Sequence, residues 1–154
     1  MILISHRGNL NGKNVQRENT EQYINLALDQ GFDVEIDVWF LENKWFLGHD
    51  NPESETSWDF LNNAKFWIHA KNGDALNMLT HLGLLNKELK FFWHQNDEYT
   101  LTSNNILWTF PNKKLFSNSV CVLPELGING EINNIKGICS DYISEYSYKI
   151  KFSE

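Results

Sequence analysis

The chain has 154 residues, the size of one ordinary domain and enough to bury a real core. Hydrophobic residues make up 42% and aromatics 14%, which excludes the disordered class. The formal net charge is −7 and no basic block occurs, so nucleic acid is not an expected partner. A phosphorylated small molecule stays admissible, because a metal and a few converging cations set the local field whatever the total charge.

The N-terminal MILISHRG carries Ile2, Leu3 and Ile4 and then turns polar, too short for a signal-peptide core. No run approaches a membrane span, so the expected location is the cytoplasm. Cys121 and Cys139 lack CxxC spacing and the density of a disulfide scaffold, and read as reduced thiols.

The first predicted strand is ILIS at 2–5, with His6 and Arg7 behind it. Residues 19–30 place Tyr23, Ile24, Ala27 and Leu28 at helical spacing, with Asn19 or Thr20 as cap and Gly31 as terminator. VEIDVWF (34–40) and KWFLG (44–48) are strands separated by the LEN turn and should form a hairpin, followed by His49 and Asp50. SWDFLNNA (57–64) reads as a short helix. KFWIHA (65–70) is a strand delivering His69, with Lys71 just beyond it. The stretch 73–86 is helical through Leu76, Met78, Leu79, Leu82 and Leu85, with Asp74 as its expected cap. KFFWH (90–94), NILWTF (105–110), SVCVLP (119–124) and GICSDY (137–142) complete the strands.

Strands alternating with helices predict an α/β protein with a mainly parallel sheet. The links 94–105 and 110–119 are near the lower limit for a parallel crossover, so the outer helices should be incomplete. A full (β/α) barrel takes about 250 residues. The expected architecture is therefore a reduced (β/α) TIM-barrel-like fold, with 1–154 as a single domain.

Polar residues gather at or just beyond the C-terminal ends of these strands, the rim where parallel α/β folds bind ligands. Glu35 and Asp37 are two apart and share one strand face, while Val34, Ile36 and Val38 face the other way. Two inward carboxylates call for a neutralising hard cation; a solvated strand face is the alternative. His6, His49, His69 and His94 all fall at strand ends, whereas His81 lies inside a helix. Taken singly, each histidine is more often a satisfied structural residue than a catalyst. Two imidazoles across a phosphorus atom can divide the proton transfers of phosphodiester cleavage. Arg7 and Lys71 would bind the nonbridging oxygens, unless they are surface cations.

The series HRGN (6–9), EN (18–19), EIDVW (35–39) and GHD (48–50) resembles the glycerophosphodiester phosphodiesterases, in the TIM-barrel phosphodiesterase superfamily that includes phosphatidylinositol-specific phospholipases C. The match covers roughly the first third of the chain, and GICSDYI (137–143) looks like the closing strand. The resemblance implies that His6 and His49 are the catalytic pair and that Arg7 holds phosphate. It further implies that Glu35 and Asp37 bind a divalent metal, magnesium or calcium, that Glu18 orients Arg7, and that Lys71 contacts substrate. The family's third metal-binding acid is here His69, which opens the site to manganese or zinc. Asp97 or Glu125 is a candidate to restore the missing charge, and His94 is a candidate substrate contact. Trp39, Trp93, Tyr99 and Trp108 are candidate pocket walls. The family's helical insertion after the HD motif is absent. The implied activity is metal-dependent cleavage of a small phosphodiester by a two-histidine acid/base mechanism, by way of water or a cyclic phosphate. The alternative is a noncatalytic phosphate-binding or carbohydrate-phosphate-binding relic of the same fold.

Overall fold

The computed structural model describes residues 1–151. In chain order the strands are β1 (Ile2–His6), β2 (Asp33–Leu41), β3 (Lys44–Leu47), β4 (Ser54–Thr56), β5 (Phe66–Ala70), β6 (Lys90–Trp93), β7 (Tyr99–Leu101), β8 (Leu107–Thr109), β9 (Ser119–Val122) and β10 (Gly137–Ser140). The helices are α1 (Glu21–Asp29), α2 (Trp58–Leu61), α3 (Gly73–Leu85) and α4 (Ile143–Lys151).

The parallel strands run β6, β5, β2, β1, β10, β9, β8 across one strongly curled sheet. Three antiparallel ladders decorate it: β2 with β3, β3 with β4, and β7 with β8. The sheet is thus mixed, though mainly parallel, and it is not a closed TIM barrel. The edge strands β6 and β7 share no ladder. Contact between them passes through Ser103, whose backbone N–H donates to the Phe91 carbonyl at 2.9 Å and whose hydroxyl accepts from the Phe91 N–H at 2.9 Å.

Closure fails where the chain is shortest. The segment between His94 and Asn105, expected as a bare crossover, instead carries β7 and folds back on β8 as a hairpin. Among the described residues no α-helix is inserted between β6 and β10, so the outer layer is incomplete as the link lengths imply. The hairpin of β2 and β3 forms as expected, because Glu42 and Asn43 both take positive φ (50° and 62°), the backbone of a tight two-residue turn.

Alternation along β2 divides the core in two. Val34, Ile36 and Val38 pack outward with Ile24 and Ala27 of α1 and with Ala75 and Leu79 of α3. The concave side of the sheet is plugged by Ile4, Trp67, Phe92, Trp108, Val120, Val122 and Cys139. Trp108 packs between Trp67 (5.7 Å between centroids) and Phe92 (4.7 Å), tilted 31° to each. This plug fills the lower half of the trough and leaves its upper half, at the strand C-termini, to polar side chains.

Thr20 rather than Asn19 caps α1, accepting from the Tyr23 N–H. Asn72 rather than Asp74 caps α3, because its side chain reaches the Ala75 N–H while also exchanging hydrogen bonds with the Phe40 backbone. Both cysteines are buried and free. No helix among the described residues is long and apolar enough to cross a membrane.

Candidate active site

The centre of the site is Asp37, wholly buried on the inner face of β2. A bare carboxylate there would be untenable, and five side chains attend it. Its Oδ2 accepts from Asn19 Nδ2 at 2.8 Å and lies 3.1 Å from His49 Nδ1 and 2.9 Å from Arg7 Nε. Its Oδ1 lies 2.9 Å from His69 Nδ1 and 3.5 Å from Lys71 Nζ. Burial by itself would raise the Asp37 carboxyl; hydrogen bonds from His49 and His69 and the charge of Arg7 outweigh it and hold the group well below the usual carboxylate range.

Glu35, one pleat below on the same face, is treated differently. Its carboxyl is buried without comparable partners, so burial first and the nearby Asp37 charge second push it well above the ordinary value. Glu35 Oε2 and Asp37 Oδ1 are both buried atoms with no aligned hydrogen-bond donor. With His69 Nδ1, which lies 3.8 Å from Glu35 Oε1, these residues form a group whose ligand atoms all lie within 4.8 Å of one another. The group fits a metal ion: two carboxylates and an imidazole converge, and two buried oxygens, Glu35 Oε2 and Asp37 Oδ1, have no aligned hydrogen-bond donor. Glu35, Asp37 and His69 can therefore hold a metal.

His6, at the end of β1, places Nδ1 2.7 Å from Asp141 Oδ1 and Nε2 3.8 Å from Glu35 Oε2. Because a carboxylate only accepts, His6 Nδ1 is the donor in that bond, which leaves Nε2 facing Glu35. Asp141 also accepts from Asn9 Nδ2 at 2.8 Å. Burial tends to raise the Asp141 carboxyl, but the His6 bond and charge, then Asn9 and Arg7, bring it below the usual range. Asp141 follows β10, at the same strand-end level as the other rim residues, and its role was not assigned from sequence. The positional rule that found His6 and His49 reaches it equally, since it lies inside the predicted GICSDY segment.

Arg7 adopts a positive φ of 57°, which turns its side chain inward from the end of β1. Besides Asp37, its guanidinium meets Glu18 Oε1 at 3.4 Å and His49 Nε2 at 3.3 Å. Burial would lower the Arg7 pKa, but Asp37, Glu35, Glu18 and Asp141 together raise it. Glu18, 3.4 Å from Arg7, also accepts from Asn9 Nδ2 at 3.1 Å. His49 is the more open imidazole, with its side chain 37% exposed. Gly48 before it takes a φ of 146°, and its carbonyl accepts from Trp39 Nε1 at 2.7 Å.

His6, Arg7, Glu35, His49, His69, Lys71 and His94 all line one cavity of about 450 Å³, whose other walls are Phe92, Trp93, Trp108, Phe110, Val122 and Leu123. His94 Nδ1 lies 3.1 Å from Thr100 Oγ1, its ring packs 4.6 Å from Phe110, and its buried Nε2 has no hydrogen-bond partner. Burial, then the neighbouring His69, lowers its pKa, so it stays neutral near pH 7.

Two other expectations are placed elsewhere. Glu125 is consumed by the Ser140 hydroxyl and the Asp141 N–H, both at 2.9 Å, and supports Asp141 instead of joining the metal group. Asp97 is exposed and sits beside His94, with Nδ1 at 3.7 Å. Of the expected aromatic walls, Trp93 and Trp108 line the cavity, Trp39 fastens the His49 loop, and the Tyr99 hydroxyl donates to the Lys114 carbonyl away from it. His81 bonds the Asn77 carbonyl within α3, an ordinary helical histidine. Comparison of the chain with protein-family models, with curated proteins and with solved structures finds no match.

Proposed function

We propose that the chain cleaves a small phosphodiester of the glycerophosphodiester type, assisted by a divalent cation held by Glu35, Asp37 and His69. One observation supports this reading: two imidazoles, two side-chain cations, and Glu35 and His69 of the buried ligand group line a single cavity, with Asp37 in contact with His49, His69 and Arg7.

Arg7 and Lys71 bind the nonbridging phosphate oxygens, Arg7 through a guanidinium braced by Glu18 and Asp37. His6 takes the proton of the attacking hydroxyl at Nε2, and Asp141 steadies the imidazolium that results. His49 gives a proton to the departing alkoxide. The new O–P bond forms on one side of phosphorus as the old one breaks on the other. A bound cation supplies charge stabilisation at a phosphate oxygen. Water as attacker yields a phosphomonoester; a neighbouring hydroxyl of the substrate yields a cyclic phosphate. Phe92, Trp93, Phe110 and Leu123 give the carbon skeleton of the ester an apolar wall, and His94 provides a neutral contact beside it.

The second reading, a phosphate-binding domain without turnover, draws on His49, which is engaged by Asp37, Arg7 and Lys71 at once. Bis-(p-nitrophenyl) phosphate and glycerophosphodiesters, assayed with several divalent cations, separate the two. The enzyme reading expects cation-dependent turnover that His6→Ala abolishes. Binding of phosphate esters by wild type and His6→Ala alike, with no turnover under any cation, would replace it with the binding reading.

A further inference from the structure

The third metal position is an imidazole, and the way that imidazole is held says which cation it suits. His69 Nε2 lies 3.0 Å from the His94 carbonyl oxygen. A carbonyl only accepts, so Nε2 donates there, and Nδ1 is the atom that faces Glu35 and Asp37, a ligand once it has given up any proton of its own. The ring is clamped in that orientation by Phe92, stacked at 5.0 Å and 10°. Nδ1 is 2.9 Å from Asp37 Oδ1, and a bound cation would take the place of the proton between them.

The separations admit a metal ion. Ligands at about 2.1 Å stand about 3.0 Å apart in an octahedron and about 3.4 Å apart in a tetrahedron. The observed 2.9 and 3.8 Å bracket both. Calcium, in contrast, takes about 6–8 oxygen ligands. Here only two carboxylates are available, Asp37 is already flanked by Arg7 and Lys71, and neither Asp97 nor Glu125 reaches the group. A hard ion would find too few oxygens and too little net negative charge. A borderline ion gains from the nitrogen what a hard ion does not.

We infer that Glu35, Asp37 and His69 form a site for a borderline first-row transition ion, with His69 Nδ1 as the ligand that selects it over magnesium and calcium. The inference rests on the metal-centred reading of this site and is independent of turnover. It displaces the magnesium or calcium implied by the resemblance.

The test uses the full chain, stripped with a chelator and titrated with Co²⁺, Mn²⁺, Zn²⁺, Mg²⁺ and Ca²⁺ by calorimetry. One transition ion should bind per chain, at least about tenfold more tightly than magnesium or calcium. Bound Mn²⁺ should show an imidazole ¹⁴N coupling by pulsed electron paramagnetic resonance in the wild type, a readout that needs no variant. His69→Glu should lose that coupling and narrow the gap toward magnesium and calcium. Equal or tighter binding of calcium or magnesium by the wild type, absence of nitrogen coupling, or no transition-metal binding would overturn the inference. Tight transition-metal binding without phosphodiester turnover would leave it standing and remove the proposed function instead; turnover supported best by calcium would do the reverse.

Discussion

His6 and Asp141 stand 135 positions apart in sequence, yet their side chains meet at 2.7 Å between Nδ1 and Oδ1. The parallel pairing of β1 with β10 brings them there, since the register Ser5↔Ser140 sets the next residue of each strand side by side at the rim. Asp141 thereby fixes the orientation of the His6 ring, with Nδ1 donating to it and Nε2 turned toward Glu35. Replacing Asp141 by Ala should lower kcat by roughly 10²-fold with KM little changed, because the carboxylate acts through His6 and not on the substrate. Steady-state kinetics with a chromogenic diester checks this; an unchanged kcat contradicts the role.

The same carboxylate predicts an acid response. Its folded pKa is held below the unfolded value by His6, Asn9 and Arg7 against the opposing effect of burial. A depressed carboxyl pKa adds stability that is complete above the unfolded value of about 3.9 and is lost as pH falls through the folded one. Thermal melts of wild type and Asp141→Asn should therefore converge as pH drops below about 4. A stability difference that is constant down to strong acid contradicts the assignment.

Asn19 shows how the sequence conceals a role in an ordinary-looking residue. It reads as a possible helix cap, but at φ 57° it turns away from α1 and clasps Asp37, donating Nδ2–H to Oδ2 at 2.8 Å and accepting the Asp37 N–H at 3.0 Å. Asn19→Ala should destabilise the chain by about 2–4 kcal/mol, from the lost bonds to a buried charge together with the left-handed backbone. Asn19→Gly removes the bonds and keeps the backbone, so it should cost about 1–2 kcal/mol less than Ala. Denaturant melts of the two variants check the difference, and equal losses would show that the backbone conformation contributes nothing.

Gly48 fixes the loop that carries His49. A Cβ there would meet the Asn51 carbonyl oxygen at 2.1 Å, and the φ of 146° belongs to glycine. Gly48→Ala should displace His49 and reduce turnover by about 10²-fold or more while metal affinity, set by β2 and β5, changes far less. Parallel kinetics and metal titration separate the effects; equal loss of both would show that the loop and the ligand group are one unit.

Much of this architecture is legible before any coordinates. The strands other than β4 and β7, the hairpin at Glu42 and Asn43, and the shared face of Glu35 and Asp37 follow from local patterns that operate over a few residues. The rim rule places His6, His49, His69, Lys71 and His94 around one cavity, and they do line it. The short edge strand β4 and the polar helix α4 carry too weak a pattern to be flagged, and the other misses are long-range. Sheet closure depends on β7 returning against β8, a choice between crossover and hairpin that a short polar link leaves open. Glu125 and Asp97 offer the same chemistry as Glu35 in sequence, and only the path of the chain sends one to Ser140 and the other to the surface. Asn72 outcompetes Asp74 as cap because it also serves the β2 backbone, a partner invisible from within the helix.

The most direct test is ³¹P nuclear magnetic resonance of a glycerophosphodiester incubated with the chain and a divalent transition ion. The diester resonance should decay into a phosphomonoester or cyclic phosphate, with turnover lost on chelation, restored by the ion, and abolished in both His6→Ala and His49→Ala. A diester signal that persists across all cations, or decays equally fast in the two variants, would contradict the assignment of His6 and His49 as the acid and base of a phosphodiesterase.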